Sequence, residues 1–245
     1  MSHNPFFALY EQRLAIATRE FNARGKSLIR CPRCWLAENT CICAWRPRST
    51  SNIEFVLLMH SDEIFKPTNT GRLIADFLPQ QTHAYCWHRK SPSPELLQLL
   101  NDPNRRCLLL FPVNDHDLAE RPREVYHHLP SDDKINTLVL LDGTWKQSAR
   151  MFHLSRWLDK HASLTLPEGL VKSYSVRKSD RAERLSTAEA AGLCLALANE
   201  QHNADLLTDY FDVFNQHYLA TRGCYAPAQS EAHIRLSEHI AKQAE

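Results

Sequence analysis

The sequence predicts an α/β protein built on a parallel sheet with helices on both faces. Three observations carry this expectation. Strand patterns alternate with helical ones along most of the chain. The strand segments at 53–60, 106–113 and 136–141 are apolar nearly throughout rather than at every second residue, as strands covered on both faces are. The 245 residues, 43% hydrophobic and 23% charged, suit one large globular domain with a small appended one. The chain has only six glycines. None falls in a G-x-G-x-x-G or G-x-x-x-x-G-K-[ST] pattern, which excludes a dinucleotide fingerprint and a P-loop. The longest apolar stretch, 190–198, is far short of the roughly 20 residues a membrane helix needs, so no membrane partner is expected. A formal net charge of +1 gives no chain-wide signature for binding a polyanion, and the opening MSHNPFFALYEQR does not read as a signal peptide.

Taken in order, residues 5–23 read as an amphipathic helix, with Phe6, Leu9, Leu14, Ile16 and Phe21 toward one side. A cysteine-rich stretch follows. Residues 1–50 hold eight basic side chains against three acidic ones, which suits either a local anionic partner or the solvated side of a helix. The body then opens with the strand at 53–60. A helix over 70–78 stops at Pro79, and a strand follows at 83–87. Next come a short helix at 94–100, strands at 106–113 and 136–141, a helix at 144–161, and a fifth strand at 163–166. Ser186-Thr-Ala-Glu189 is a capping box that opens a helix through Leu197. Another helix spans 206–219, and the last fifteen residues read as a loose polar helix. The expected division is 1–50 (helix and cysteine knuckle), 51–225 (the α/β body) and 226–245 (polar tail).

Cys31-Pro-Arg-Cys34 and Cys41-Ile-Cys43 form C-x₂-C-x₆-C-x-C, two close pairs within thirteen residues. Four thiolates at such spacings can close a tetrahedral zinc site, structural because no position stays open. The other four of the eight cysteines are scattered, which points to a reducing, cytoplasmic setting. Trp35 and Trp45, interleaved with Arg33, Arg46 and Arg48, suit either RNA stacking or packing of the module onto the body.

Ligands of parallel α/β sheets bind beyond the carboxyl ends of the strands. Polar residues fall there at His60-Ser-Asp-Glu63, Pro112-Val-Asn114-Asp115 and Asp142-Gly-Thr-Trp145. At the last of these an apolar strand ends in an acid, Gly143 permits a turn, and a helix begins. Asp142 or Thr144 caps that helix, or Asp142 faces the ligand crevice with Trp145 as a stacking wall.

Asp142-Gly-Thr-Trp145 resembles the Asp-x-Thr-Trp signature of the DTW-domain family. The resemblance extends, in order, to the cysteine knuckle, 60–72 (Lys66, Asn69, Thr70, Arg72), the Leu110-Phe-Pro112 strand end, and Tyr174-Ser-Val-Arg177-Lys178 leading to 185–190. It implies a SPOUT-like α/β fold with a C-terminal trefoil knot that binds S-adenosylmethionine. It also implies transfer of the 3-amino-3-carboxypropyl arm to N3 of a uridine in the tRNA variable loop, at position 47, releasing 5′-methylthioadenosine. On that basis Asp142, Thr144 and Trp145 are the catalytic candidates. Phe111, Pro112, Asp142, Gly143, Ser186 and Thr187 are candidates for holding S-adenosylmethionine. Lys66, Asn69, Thr70, Arg72, Tyr174, Arg177 and Lys178 are candidates for tRNA contact, and Cys31, Cys34, Cys41 and Cys43 for zinc. The expected partner is tRNA, not DNA, and the expected state is a monomer. A SPOUT RNA methyltransferase and a non-catalytic zinc-knuckle RNA-binding protein are the alternatives.

Overall fold

A computed structural model describes residues 4–18, 28–167, 169, 171 and 185–244. Six strands form one sheet: β1 Glu54–Met59, β2 Thr82–Cys86, β3 Arg105–Leu110, β4 Val125–Tyr126, β5 Ile135–Asp142 and β6 Ser163–Leu164. Their order is β2-β1-β5-β3-β6-β4, and every neighbouring pair is parallel. The described helices are α1 Pro5–Ala15, α2 Gly71–Phe77, α3 Pro94–Leu100, α4 Asp115–Glu120, α5 Trp145–Leu154, α6 Thr187–Leu197, α7 Gln201–Gly223 and α8 Glu231–Ala244.

Successive side chains of a strand point to opposite faces, so an all-apolar strand needs cover on both. β1 shows this directly. Phe55, Leu57 and Met59 enter one core with residues of α1, α2, α6 and α7, whereas Val56 and Leu58 enter a second with α3 and α5. β5 sits between β1 and β3, with Leu138 and Leu140 in the first core and Val139 and Leu141 in the second. Each such fully buried side chain contributes about 1.5–3 kcal/mol relative to exposure. No described helix is long and apolar enough to cross a membrane.

Several expected boundaries shift for identifiable reasons. The helix expected over 5–23 is α1, capped by Asn4 with Pro5 at its first position, and it ends at Ala15. The helix expected over 144–161 ends at Leu154. There Arg121 donates to the carbonyls of Phe152 and His153, capping the helix end from outside. A 3-10 turn, Arg156–Leu158, follows. The two-residue β4 and six-residue α4 are too short to leave a periodic signature. The tail expected over 226–245 is a docked helix: Ala232, His233 and Leu236 of α8 are buried, and Arg235 forks onto Asp209 of α7 (2.7 and 2.8 Å). Between β6 and α6, residues 168, 170 and 172–184 lie outside the described residues.

Candidate active site and metal centre

A cavity of about 390 Å³ opens beyond the carboxyl ends of β3, β5 and β6. Small-ligand sites typically occupy about 300–1,000 Å³. Its wall takes Phe111 and Pro112 from the end of β3, Gly143 from the end of β5, Trp145 from α5, and Ser186 and Thr187 from the start of α6. Trp145 is 50% exposed and stacks on Phe111 (centroids 6.0 Å, 15°), which stacks in turn on Phe152 (4.3 Å, 13°). The outer ring of this column is thus open to a planar partner while the inner two are core.

Asp142 ends β5 and is 4% exposed. Its Oδ2 accepts from Asn69 Nδ2 at 2.5 Å and its Oδ1 from Thr187 Oγ1 at 2.6 Å. Burial pushes this carboxyl above its ordinary range. The bonds from Asn69 and Thr187 pull it down, Glu63 raises it, and Lys66 lowers it. Gly71 explains how α2 approaches so closely. A Cβ there would lie 2.8 Å from Asp142 Oδ2, a distance real Cβ atoms essentially never show. Asp142 is absent from the cavity wall, but its neighbour Gly143 and its hydrogen-bond partner Thr187 are in it.

Thr144 caps α5 through a box with Gln147 (2.8 and 3.3 Å), so the helix cap falls to Thr144 and not to Asp142. Gln147 Nε2 also lies 3.2 Å from His60 Nδ1, joining the end of β1 to the same corner. Ser186 caps α6 through a box with Glu189 (2.7 and 3.3 Å), which places Thr187 at the first helical position.

The segment expected to contact RNA phosphate turns inward instead. Chain reversals at His60–Lys66 and Lys66–Asn69 feed a helix, α2, whose seven residues are all buried. Asn69 spends its amide on Asp142, and Thr70 Oγ1 accepts from the Ala188 N–H at 3.4 Å. Arg72 is 1% exposed, with its guanidinium 5.1 Å from the Trp35 ring centre and 5.2 Å from that of Phe214, out of reach of any phosphate. Lys66 keeps a side chain 32% exposed, and it pairs with Glu63 at 2.5 Å. Tyr174, Arg177 and Lys178 lie outside the described residues.

The sulfur atoms of Cys31, Cys34, Cys41 and Cys43 all lie within 4.8 Å of one another. Cys31 to Cys43 and Cys34 to Cys41 are both 3.7 Å. Zinc–sulfur bonds of about 2.3 Å at tetrahedral angles set sulfurs about 3.8 Å apart, so four thiols gathered this closely fit the donor set of a tetrathiolate metal site. The two tryptophans pack this module to the body. Trp35 meets Phe6, Phe7 and Tyr10, and Trp45 meets His217 and His233. That answers the alternative of RNA stacking for Trp35, which is buried. The polar links behind the module had no local sequence signal. Arg46 pairs with Asp76 at 3.3 Å, and Asp76 also accepts from Asn4 (2.8 Å) and Tyr210 (3.1 Å).

A parallel sheet with a crevice at its strand carboxyl ends, flanked by a four-cysteine module, defines an α/β protein of the ligand-binding crevice class. A family model described as DTW domain matches residues 28–219, and the chain belongs to that family. Curated relatives include tRNA-uridine aminocarboxypropyltransferase 2 of Macaca fascicularis, 24% identical over 177 residues, covering 70% of this chain and 57% of that protein. The protein of the same name from Drosophila melanogaster is 26% identical over 182 residues, covering 72% of this chain and 67% of that one. The Mus musculus counterpart matches at 24%, over 70% and 57%. The chain thus spans little more than half the length of the two mammalian relatives. No solved structure matches the chain significantly.

Proposed function

We propose that the protein is a tRNA-uridine aminocarboxypropyltransferase. It would move the 3-amino-3-carboxypropyl group of S-adenosylmethionine to N3 of the uridine at position 47 in the variable loop. The observation that carries this reading is the pinned, buried Asp142 beside an apolar cavity with a helix N-terminus in its wall. The names of the curated relatives agree with it.

The residues present fit S-adenosylmethionine. Phe111 and Pro112 offer an apolar edge for the adenine, and the first turn of α6, at Ser186 and Thr187, offers backbone N–H groups for a carboxylate. When bound, S-adenosylmethionine supplies an alkyl carbon made electrophilic by the adjoining sulfonium. Of the three such carbons, the one presented in line with the nucleophile is the one that reacts. In the transfer, the N3–carbon bond forms, the carbon–sulfur bond breaks, and the N3 proton must leave. Asp142 is assigned as its acceptor, with Asn69 and Thr187 fixing the carboxylate. Its competing role is to hold the cationic amino group. Thr144 acts by starting α5, which carries Trp145 to the open end of the ring column. There Trp145 stacks on a base, with the exposed Lys146 and Arg150 on the same helix supplying phosphate contacts. Lys66, Tyr174, Arg177 and Lys178 remain proposed tRNA contacts. The four cysteines hold a structural zinc ion, and the protein acts as a cytoplasmic monomer.

The test is the identity of the small co-product after incubation with undermodified tRNA and S-adenosylmethionine. Release of 5′-methylthioadenosine is expected. S-adenosylhomocysteine instead would make the protein a methyltransferase.

A further inference from the structure

The first turn of α2 stands between the two centres described above. On one side, the Arg72 backbone N–H donates to Asn69 Oδ1 at 3.1 Å, and Asn69 Nδ2 donates to Asp142 Oδ2 at 2.5 Å. On the other, the Arg72 guanidinium lies between Phe214 and the ring of Trp35, the residue that follows Cys34. Trp35 holds φ at 59°, a left-handed conformation that a bulky side chain adopts only when something compensates, and glycine would adopt it freely. What the ring gains is contact with Arg72 and with Phe6, Phe7 and Tyr10.

The guanidinium is unusual in a second respect. None of its three nitrogens has a hydrogen-bond partner among the described residues, although the residue is fully buried. A buried cation with idle donors needs negative charge nearby. Asp76 is committed to Arg46, Asn4 and Tyr210. Burial disfavours the Arg72 cation, and Asp76 is the charge that most offsets this. Two arginines thus share one buried carboxylate, and Arg46 Nη2 also lies 3.7 Å from Cys43 Sγ. A divalent ion held by four thiolates carries two net negative charges. The two arginines exceed the one carboxylate by a single positive charge, which the negative charge of the metal-loaded tetrathiolate offsets.

We propose that Arg72 is a positioning residue that couples the metal centre to Asp142. Its guanidinium balances the metal-loaded tetrathiolate, and its backbone N–H sets Asn69 on the Asp142 carboxylate. The Asp142 half of this inference rests on the function proposed above. Losing the metal, or the charge of Arg72, then loosens the carboxylate without touching the cavity.

The test uses the full chain loaded with zinc, in native form and as Arg72→Met and Arg72→Lys. Three quantities are read: the rate of zinc loss to excess chelator, the NMR resonance of the Asn69 side-chain amide, and the calorimetric affinity for S-adenosylmethionine. Arg72→Met is expected to release zinc about tenfold faster, the usual effect of removing a partner that supports metal ligands, and to shift the Asn69 resonance, while S-adenosylmethionine affinity stays near native because the cavity is untouched. Arg72→Lys, which keeps the charge, is expected to recover most of the zinc retention. Zinc release and an Asn69 resonance both unchanged in a folded Arg72→Met would overturn the proposal. Should Arg72→Met fail to fold, the native chain decides: stripping its zinc must shift the Asn69 resonance reversibly, and an unmoved resonance refutes the coupling. A native chain that binds no S-adenosylmethionine, yet whose Asn69 resonance responds to zinc, would sink the functional reading and leave the coupling standing.

Discussion

Replacing Gly71 with alanine adds one methyl group at the tightest point of the site. The new Cβ would lie 2.8 Å from Asp142 Oδ2, 3.3 Å from its Cγ and 3.4 Å from Asn69 Oδ1. Ordinary contacts between such atoms run to about 3.5 Å, so the carboxylate or the start of α2 must give way by about 0.5 Å. Neither is a loose end. The carboxylate is held by Asn69 and Thr187, and α2 is buried along its whole length. A displacement of about 1 Å in a reacting group costs about 100-fold in rate, so half of that predicts a loss of about 10-fold or more, equal to about 1.4 kcal/mol. Stability should fall by only about 1–2 kcal/mol, the usual scale of overpacking partly offset by better helix propensity. Gly192→Ala is the control. Its Cβ meets nothing closer than Thr208 Oγ1 at 3.5 Å, inside α6, so it should leave activity intact and raise stability by about 0.5–1 kcal/mol. The assay is single-turnover transfer to tRNA beside thermal melts of both variants. A Gly71→Ala protein with native activity would refute the claim that Asp142 works from this pinned position.

Three further expectations follow from the same structure. Cys34→Ser should lose the bound metal and on the order of 3 kcal/mol of stability, about 6–12 °C in Tm for a chain of this size, read by metal analysis and calorimetry. Because burial raises the Asp142 carboxyl, transfer should fail as pH drops through a midpoint above the ordinary aspartate value of about 3.9, with the full rate on the alkaline side where the base is ionised. An acid limb at or below that value contradicts the assignment, and Asp142→Asn with unchanged S-adenosylmethionine affinity favours the base over the amine clamp. His217 and His233, with Nε2 atoms 2.9 Å apart, are both pushed down by burial. Their contribution to stability is therefore complete above the ordinary histidine value of about 6.5 and declines as pH falls below it, so melting at pH 5 against pH 7.5 should show a loss that His233→Phe diminishes.

What could be read in advance has a common physical basis. The apolar strands, the Ser186–Glu189 capping box and the four-cysteine spacing are local patterns, each written within a few residues. The strand-end position of Asp142 is local in the same sense. Its partners are not. Asn69, Gly71 and Thr187 meet it only because the start of α2, the end of β5 and the start of α6 converge, and no short window contains that information. Arg72 shows the failure most clearly. A run of Lys66, Asn69, Thr70 and Arg72 has the composition of a phosphate-binding surface, yet the helix that follows is also rich in Leu73, Ile74 and Phe77. Arg72 and Asp76, four residues apart on a helix otherwise built for burial, were the available hint that the charge belonged inside. The early end of α5 likewise depends on Arg121, a residue 31 positions away from the carbonyl of Phe152 that it caps.

The most direct test of the central claim is the mass of the nucleoside produced. Undermodified tRNA incubated with the protein and S-adenosylmethionine, then digested and analysed by mass spectrometry, should yield a uridine heavier by one aminocarboxypropyl group, located in the variable loop. A uridine heavier by a single methyl group, or tRNA nucleosides left unchanged by folded, zinc-loaded protein, would contradict the account.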